Sequence, residues 1–235
     1  MSAVTPPPRP RRIALIHALR DSVEPILGAF ARGWPEAQTF NLLDDSLSAA
    51  VAAAGRLTTP IVDRFLALGR YAAAAQVGGL GTDAILFTCS AFGPAIEAVQ
   101  ADQTIPVLKP NEAAFAAALE RGRRIGLLVT FGPSLDPLTA ELRDMAVRLG
   151  NTCDVRGVLV EGALRALQSD RPEAHDDAIA AAAAALADRD VVVLGQFSMA
   201  RARASMDPAL QARVLTTPEC AVAQLRRQLT ASEPA

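Results

Sequence analysis

Cys89 lies in the stretch ILFTCSAFGP, directly after an apolar run of strand length and before small, turn-forming residues. A thiol at such a boundary can act as an acid, a base or a nucleophile. The N–H groups and dipole of a following helix would stabilise its thiolate and lower its pKa from about 8.5. The alternative is that Cys89 is a small buried apolar residue, as free cysteines commonly are. Cys153 and Cys220 fit that alternative, since one precedes a predicted strand and the other lies in the last predicted helix.

Hydroxyl and amide side chains follow the apolar runs and could hold a negatively charged substrate. They are Ser90, Thr130, Ser134, Gln196 and Ser198. Ser134 and Ser22 are each followed by an acid two residues later and a proline three residues later, so we expect both to cap helices. Free N–H groups at helix starts, with hydroxyls beside them, favour a carboxylate or a phosphate. Capping without any contact to a ligand stays open as the alternative.

Two histidines accompany these residues. If the ring of His17 reached Cys89, the pair could support acyl transfer or hydrolysis, although a histidine at the end of a buried strand is more often a satisfied core residue. We expect His175, next to Asp176 and Asp177, to belong to a helix cap or a surface network. The three cysteines are widely spaced and form no C-x-x-C pair, which argues against a zinc site or a disulfide framework.

Eight apolar runs of strand length alternate with helix-like segments, which predicts βαβ units and a parallel sheet. The predicted strands are residues 13–17, 37–43, 84–88, 105–108, 125–130, 155–160, 191–195 and 214–215. The alanine-rich segment 178–187 is predicted to be helical, because Ala is the best helix former. Ligands of open parallel sheets bind at the carboxyl ends of the strands. We therefore expect the residues that follow these strands to converge.

Internal repeats divide the chain into similar halves. RIALIHALRDSVEP at 12–25 aligns with RIGLLVTFGPSLDP at 124–137, where 124 minus 12 and 137 minus 25 both give 112. DAILFTCS at 83–90 aligns with DVVVLGQF at 190–197 at an offset of 107, which also carries 105–119 onto 212–226. We predict an α/β fold of two similar Rossmann-like lobes with parallel sheets, related by a pseudo-twofold duplication. The active site is expected in the cleft between them.

The predicted boundaries follow from the repeats. They are a disordered tail at 1–11, a first α/β lobe at 12–113, a second α/β lobe at 114–220, and a C-terminal helix and tail at 221–235 that could pack on the first lobe. The proline-rich, basic start MSAVTPPPRPRR is interpreted as a tail and not as a signal peptide.

The composition and charge of the chain indicate what kind of protein it is and which partners to expect. The 235 residues are 51% hydrophobic and 20% charged, with a formal net charge of -2, which suits a globular protein with a substantial core. Basic residues are scattered and not blocked, so no nucleic-acid partner is expected. No run approaches the roughly 18 apolar residues of a membrane span, so no membrane partner is expected either. Free thiols favour a cytoplasmic location.

The duplicated halves and the strand ends ILFTCSAFGPAIEA, RIGLLVTFGPSLDPL and VVVLGQFSMA resemble the aspartate/glutamate/hydantoin racemase superfamily. That superfamily also includes maleate isomerases and arylmalonate decarboxylases, and the resemblance covers nearly the whole chain after the tail. It implies an enzyme without metal or organic cofactor, a small carboxylate-bearing substrate and a homo-oligomer. In the racemases a cysteine from each half faces the substrate, one removing the α-proton while the other returns one. The resemblance assigns catalysis to Cys89, with substrate-binding candidates Ser90, Thr130, Ser134, Gln196, Ser198 and His17.

The second half departs from the racemase pattern. Cys89 plus 107 is 196, and residue 196 is Gln, which forms hydrogen bonds but cannot be a general base. Cys153 cannot replace the missing thiol, because it lies before its predicted strand, at the opposite edge of the sheet. A racemase- or isomerase-type enzyme with Cys89 as its single catalytic thiol is therefore the prediction. The alternatives are an arylmalonate-type decarboxylase, a Cys/His hydrolase and a non-catalytic carboxylate-binding protein.

Two further considerations bear on the substrate. The decarboxylases keep their cysteine in the second half whereas this chain keeps the first, so we rank isomerisation above decarboxylation. Phe92, Phe131 and Phe197 fall in predicted cleft loops. They could line an apolar pocket that suits a substrate larger than aspartate, or they could instead pack the cores of the lobes.

Overall fold

The computed structural model describes residues 9–231, so most of the predicted tail (1–8) and the last four residues (232–235) lie outside the description. Arg9 and Arg11, at the end of the predicted tail, form ion pairs with Asp83. Within this range there are eight strands: β1 Arg12–His17, β2 Gln38–Leu43, β3 Ala84–Phe87, β4 Val107–Leu108, β5 Arg124–Val129, β6 Asp154–Leu159, β7 Val191–Leu194 and β8 Val214–Thr216. They form two parallel sheets, in the orders β2-β1-β3-β4 and β6-β5-β7-β8. The predicted α/β fold with two parallel sheets is confirmed.

Helices connect these strands on both faces of each sheet. The described chain contains α1 Val23–Gly33, α2 Ser46–Ala54, α3 Thr59–Ala74, α4 Gly93–Asp102, α5 Glu112–Arg121, α6 Leu135–Arg148, α7 Ala163–Gln168, α8 Pro172–Ala184, α9 Pro208–Arg213 and α10 Thr217–Thr230. Four 3₁₀ segments, here called the first to fourth turns, are Arg20–Ser22, Ser90–Phe92, Gly132–Ser134 and Phe197–Ser205. No helix between residues 9 and 231 is both long enough and apolar enough to span a bilayer.

The observed strands follow the apolar runs of the sequence closely, and each end lies within two residues of its prediction. The largest difference is at β4, which begins at Val107 and not at residue 105. Pro106 has no N–H to donate to a ladder, and it contributes only its carbonyl, which accepts from the N–H of Ile85 at 2.9 Å.

The same hydrogen bonds recur at equivalent positions of the two lobes. The N–H of Asp83 donates to the carbonyl of Arg12, and its carboxylate accepts from the N–H of Arg12, both at 2.8 Å. Asp190 and Arg124 repeat this exchange at 2.8 and 2.9 Å. The aspartates are related by the 107-residue offset and the arginines by the 112-residue offset. The pseudo-twofold relation found in the sequence therefore extends to individual hydrogen bonds.

The two lobes exchange their last helices. The helix α5 follows β4 of the first sheet, but its Phe115 lies in one buried cluster with Ile125 of β5. In the same way α10 follows β8 of the second sheet, and its Leu225 lies in one buried cluster with Leu15 of β1. The two exchanged helices also contact each other. Each sheet is thus covered partly by a helix from the opposite half of the chain.

The four turns begin within a few residues of the carboxyl ends of β1, β3, β5 and β7, where ligands of parallel sheets bind. The first turn contacts the fourth, and the second contacts the third. Under the internal repeat the first turn corresponds to the third and the second to the fourth, so the two contacts are related by the pseudo-twofold axis. The ends of four strands consequently meet where the lobes face each other.

Candidate active site

Cys89 lies between the end of β3 and the second turn. Its backbone is extended, with φ -115° and ψ 122°, and the second turn starts at the next residue. The residue as a whole is partly exposed, and the N–H of Ala91 donates a hydrogen bond to its sulfur. Because the second turn contacts the third turn of the other lobe, Cys89 lies at the boundary between the lobes.

The Cys89 thiol is harder to ionise than a free cysteine. Burial raises its pKa to about 11, because desolvation disfavours the thiolate more than the Ala91 N–H stabilises it. The prediction of a lowered pKa is therefore wrong. The side chain packs against the apolar core of the first lobe, and the turn that follows it is only three residues long. At neutral pH Cys89 is a protonated thiol that can donate a proton, and it becomes a base or a nucleophile only after losing that proton.

Gln196 takes the equivalent place in the second lobe, between β7 and the fourth turn. Its backbone is also extended, with φ -135° and ψ 145°. The side-chain oxygen Oε1 accepts hydrogen bonds from both the N–H and the hydroxyl of Thr130, at 2.7 Å each. The amide Nε2 lies 3.5 Å from the hydroxyl of Ser134. Three of the predicted substrate-binding residues therefore form one network.

This network leaves the amide nitrogen of Gln196 as the group that can meet a ligand. Both donors of Thr130 converge on Oε1, which fixes the orientation of the amide plane. The Nε2 atom has two hydrogens to donate and, within residues 9–231, only the long contact to Ser134. A preorganised donor of this kind stabilises a carboxylate or a developing enolate oxygen.

Ser134 and Ser22 do not cap their helices. Neither side chain makes a capping hydrogen bond, and the hydroxyl of Ser134 donates instead to the carbonyl of Phe131 at 2.7 Å. The two predictions of capping are wrong because both residues have helical backbone angles, with ψ of -15° at Ser22 and -11° at Ser134. A capping side chain normally needs an extended backbone to reach the free N–H groups.

His17 is completely buried and satisfied at both ring nitrogens. Its Nε2 lies 2.9 Å from the side-chain oxygen of Asn41, which can only accept, so Nε2 carries the hydrogen. Its Nδ1 then accepts from the hydroxyl of Thr88 at 2.8 Å. Burial lowers the pKa of the ring, so it is neutral at physiological pH. With both nitrogens engaged, the ring supports the strand end next to Cys89 and does not supply the Cys/His pair of the hydrolase alternative.

The remaining predicted side chains occupy different environments. Ser90 is partly exposed at the start of the second turn, and Ser198 is 4% exposed in the fourth. Phe92 and Phe197 are each 1% exposed and lie in the cores of the first lobe. Phe131 is 39% exposed, so of these three rings it is the one that can meet a substrate.

His175 is a buried helix residue and not a cap or surface residue as predicted. Its side chain is 0% exposed within α8, and its Nδ1 lies 2.8 Å from the carboxylate of Asp176. The same carboxylate accepts from Nε of Arg201 in the fourth turn. The ion pair between Asp176 and Arg201 therefore attaches α8 to the fourth turn, which begins next to Gln196.

The sequence did not indicate Asn111, which connects the two lobes at the carboxyl end of β7. Its Nδ2 donates to the carbonyl of Gly195 at 2.8 Å, and its Oδ1 is buried without a hydrogen-bond partner. The residue precedes α5 of the first half, so it fixes the backbone directly before Gln196 from the opposite lobe. Among residues 9–231, no group of three His, Cys, Asp or Glu side chains could hold a metal ion.

Comparison with known proteins relates this arrangement to one family. A family model described as Asp/Glu/Hydantoin racemase matches residues 35–225. No curated protein sequence matches the chain significantly. Among solved structures, allantoin racemase from Pseudomonas fluorescens has a TM-score of 0.65 and 19% identity, covering 94% of this chain and 91% of that one.

Two further solved structures share the fold. A glutamate racemase isoform from Bacillus anthracis has a TM-score of 0.67 and 14% identity, covering 95% of this chain and 83% of that one. A double mutant of arylmalonate decarboxylase in the liganded form has a TM-score of 0.55 and 16% identity, covering 96% and 94%. At these identities the similarity shows the duplicated α/β fold.

Proposed function

Because the chain belongs to the Asp/Glu/Hydantoin racemase family, we propose that it is a cofactor-independent enzyme of the racemase or isomerase type. Its substrate is a small carboxylate-bearing molecule, and Cys89 is its single catalytic thiol. The observation that carries this proposal is the equivalence of Cys89 and Gln196, which follow β3 and β7 with similar extended backbones. Cys153 precedes β6 and Cys220 lies in α10, so neither supplies a second thiol at these strand ends.

The single thiol restricts the chemistry to one face of the substrate. Gln196 cannot take a proton, so its part is to bind a carboxylate or enolate oxygen through Nε2. Cys89 is protonated at rest because its pKa is raised to about 11. When Cys89 adds across an activated double bond, the thiol loses its proton as the sulfur bonds one carbon, and the other carbon takes up a proton. Rotation about the new single bond and loss of both groups then give the isomer and return the thiol.

Decarboxylation is the second candidate, and the protonation state of Cys89 favours it. When carbon dioxide leaves a malonate, the electron pair of the broken bond forms an enediolate that needs one proton. A thiol with a pKa of about 11 holds such a proton at neutral pH. We rank this candidate below isomerisation because the arylmalonate decarboxylases that the chain resembles keep their cysteine in the second half.

The experiment that tests the proposal uses the purified protein in deuterated water. It is incubated with maleate, amino acids, allantoin, other hydantoins and arylmalonates, and NMR follows α-proton exchange, isomerisation and release of carbon dioxide. We expect one substrate class to isomerise or exchange. Cys89→Ala should abolish this activity, and Cys153→Ala, which alters a partly exposed thiol at the opposite sheet edge, should retain it.

The other outcomes are equally informative. Turnover that survives in Cys89→Ala would overturn the thiol mechanism. Release of carbon dioxide from an arylmalonate would transfer the assignment to the second candidate, and hydrolysis lost in Cys89→Ala would favour the hydrolase. Stabilisation by a carboxylate without any turnover would indicate a binding protein.

Compartment and assembly complete the proposal. We propose that the enzyme works in the cytoplasm, where a reducing environment keeps the three free cysteines as thiols. We also propose that it forms a homo-oligomer, as the family resemblance implies. Light scattering on the purified protein measures the mass that tests this assembly.

A further inference from the structure

Arginine side chains surround a groove along α10. Two cavities of about 600 Å³ and 290 Å³ share Arg203, Glu219, Ala223 and Arg227 among their lining residues, so they adjoin each other. We call the two cavities together the arginine groove. Its arginines are Arg32, Arg121, Arg203, Arg226 and Arg227. Cys89, Thr130 and Gln196 line neither cavity, so the groove is separate from the candidate active site.

The charge of the arginine groove is strongly unbalanced. Five guanidinium groups line it, and Glu219 is the one carboxylate among its lining residues. That carboxylate lies 3.3 Å from both Arg32 and Arg203 and also accepts from Thr216 at 2.9 Å. The whole chain has a formal net charge of -2, so the positive charge is concentrated locally. Such a concentration attracts anions to the groove.

Several guanidinium donors in the groove lack an acceptor. The Nε of Arg203 is buried without a hydrogen-bond partner. Between residues 9 and 231, no carboxylate forms an ion pair with Arg227 or with Arg121, whose one hydrogen bond is a long 3.4 Å contact to the carbonyl of Ala212. Oxyanions are the best acceptors for these donors, because a planar guanidinium group can donate two parallel hydrogen bonds to one oxyanion.

Three guanidinium groups also share the smaller cavity. Arg121, Arg203 and Arg227 line it together with Cys220. Their charges favour ionisation of that thiol and Glu219 opposes it, but burial raises the thiol pKa to about 11. Like charges that line one cavity repel each other, and a bound anion would relieve that repulsion.

We propose that the arginine groove binds a small molecule that carries two or more adjacent oxyanion groups, with phosphoryl groups as the best match. A cavity of about 600 Å³ suits a small organic ligand. The small residues Ala29, Gly33 and Ala223 on its walls leave room for the uncharged part of that ligand. The inference does not depend on the proposed reaction, because it uses none of the residues assigned to it.

Isothermal titration calorimetry of the full-length protein with inorganic pyrophosphate tests the inference. We expect saturable binding with one site per chain, and the dissociation constant should rise with the sodium chloride concentration. Arg227→Gln should raise the dissociation constant at least tenfold. The matched control is Arg148→Gln, an exposed arginine at the end of α6 that lines neither cavity, and it should leave the constant within twofold. Thermal unfolding of both variants checks that they are folded.

A parallel titration with citrate distinguishes phosphoryl from carboxylate ligands. Binding of either anion that is lost in Arg227→Gln supports the site, and the tighter anion identifies the preferred group. Absence of saturable binding for both anions would overturn the inference. So would an unchanged constant in Arg227→Gln, or a crystal structure with pyrophosphate beside Gln196 and none in the groove. A fall in molecular mass on Arg227→Gln would assign the groove to contact between copies of the chain and would also overturn it.

Discussion

Gln196→Met tests the network that replaces the second thiol. Methionine matches the length of glutamine but has no side-chain oxygen. The substitution therefore removes the acceptor of two hydrogen bonds, each 2.7 Å long, from the N–H and the hydroxyl of Thr130. Thr130 is only 7% exposed, so water cannot readily replace the lost acceptor.

The expected loss of stability follows from the two Thr130 donors that would lose their acceptor. A buried N–H without a partner costs about 1–3 kcal/mol, and loss of the hydroxyl bond costs about 1 kcal/mol more. The free energy of unfolding should fall by about 2–4 kcal/mol, which for a chain of this length lowers Tm by roughly 4–16 °C. Urea-induced unfolding followed by circular dichroism measures the free energy, and a thermal scan measures Tm.

Two further variants make the result specific. Gln196→Glu keeps an oxygen acceptor, so it should lose less stability than Gln196→Met, while its negative charge should weaken binding of a carboxylate substrate. Thr130→Val removes the hydroxyl alone, and in a double-mutant cycle with Gln196→Met it should show a coupling energy of about 1 kcal/mol. A free energy of unfolding for Gln196→Met that lies within about 0.5 kcal/mol of the wild-type value would refute the reasoning.

Three other predictions follow from the described packing and charges. Alkylation of Cys89 by iodoacetamide, measured by peptide mass spectrometry, should accelerate with pH up to about 11, because the thiolate reacts and burial raises its pKa; a plateau near pH 8 would contradict this. Gly69→Ala should lower the free energy of unfolding by about 1–3 kcal/mol, since a Cβ would lie 2.4 Å from Cγ1 of Val99, whereas Gly81→Ala meets open space and should change little. The pKa of Asp190 is lowered to about 2, so its stabilising effect is present above the unfolded pKa of about 4 and is lost as pH falls through 2. The stability difference between the wild type and Asp190→Asn should therefore shrink from pH 5 to pH 2 in urea unfolding curves, and a constant difference would oppose the assignment.

The fold could be predicted because buried parallel strands are continuous apolar runs, and the two halves of the chain repeat them in the same order. The equivalence of Cys89 and Gln196 followed from the same offset, and their similar backbone angles agree with it. The pKa of Cys89 could not be predicted in this way. The sequence shows the turn that follows the thiol, but not the apolar side chains that remove water from it.

Contacts between segments that are far apart in the sequence account for the other differences between the predictions and the structure. The burial of His175 depends on the fourth turn, and Arg201 of that turn pairs with the neighbouring Asp176. Asn111 and Gly195 are separated by 84 residues, and no local pattern marks an asparagine that donates to a carbonyl of the opposite lobe. The capping prediction at Ser134 failed for a local reason, since its dihedral angles are helical.

The exchange of α5 and α10 between the lobes has a consequence for folding and ancestry. A half-length chain would leave part of one face of its sheet bare, because one of the helices that cover Leu15 or Ile125 belongs to the other half. An ancestral single repeat could bury that face only by pairing with a second copy and trading its last helix, as domain-swapped dimers do. If the present chain is cut between α5 and β5, we expect the two fragments to fold together when mixed and to remain insoluble or unfolded apart.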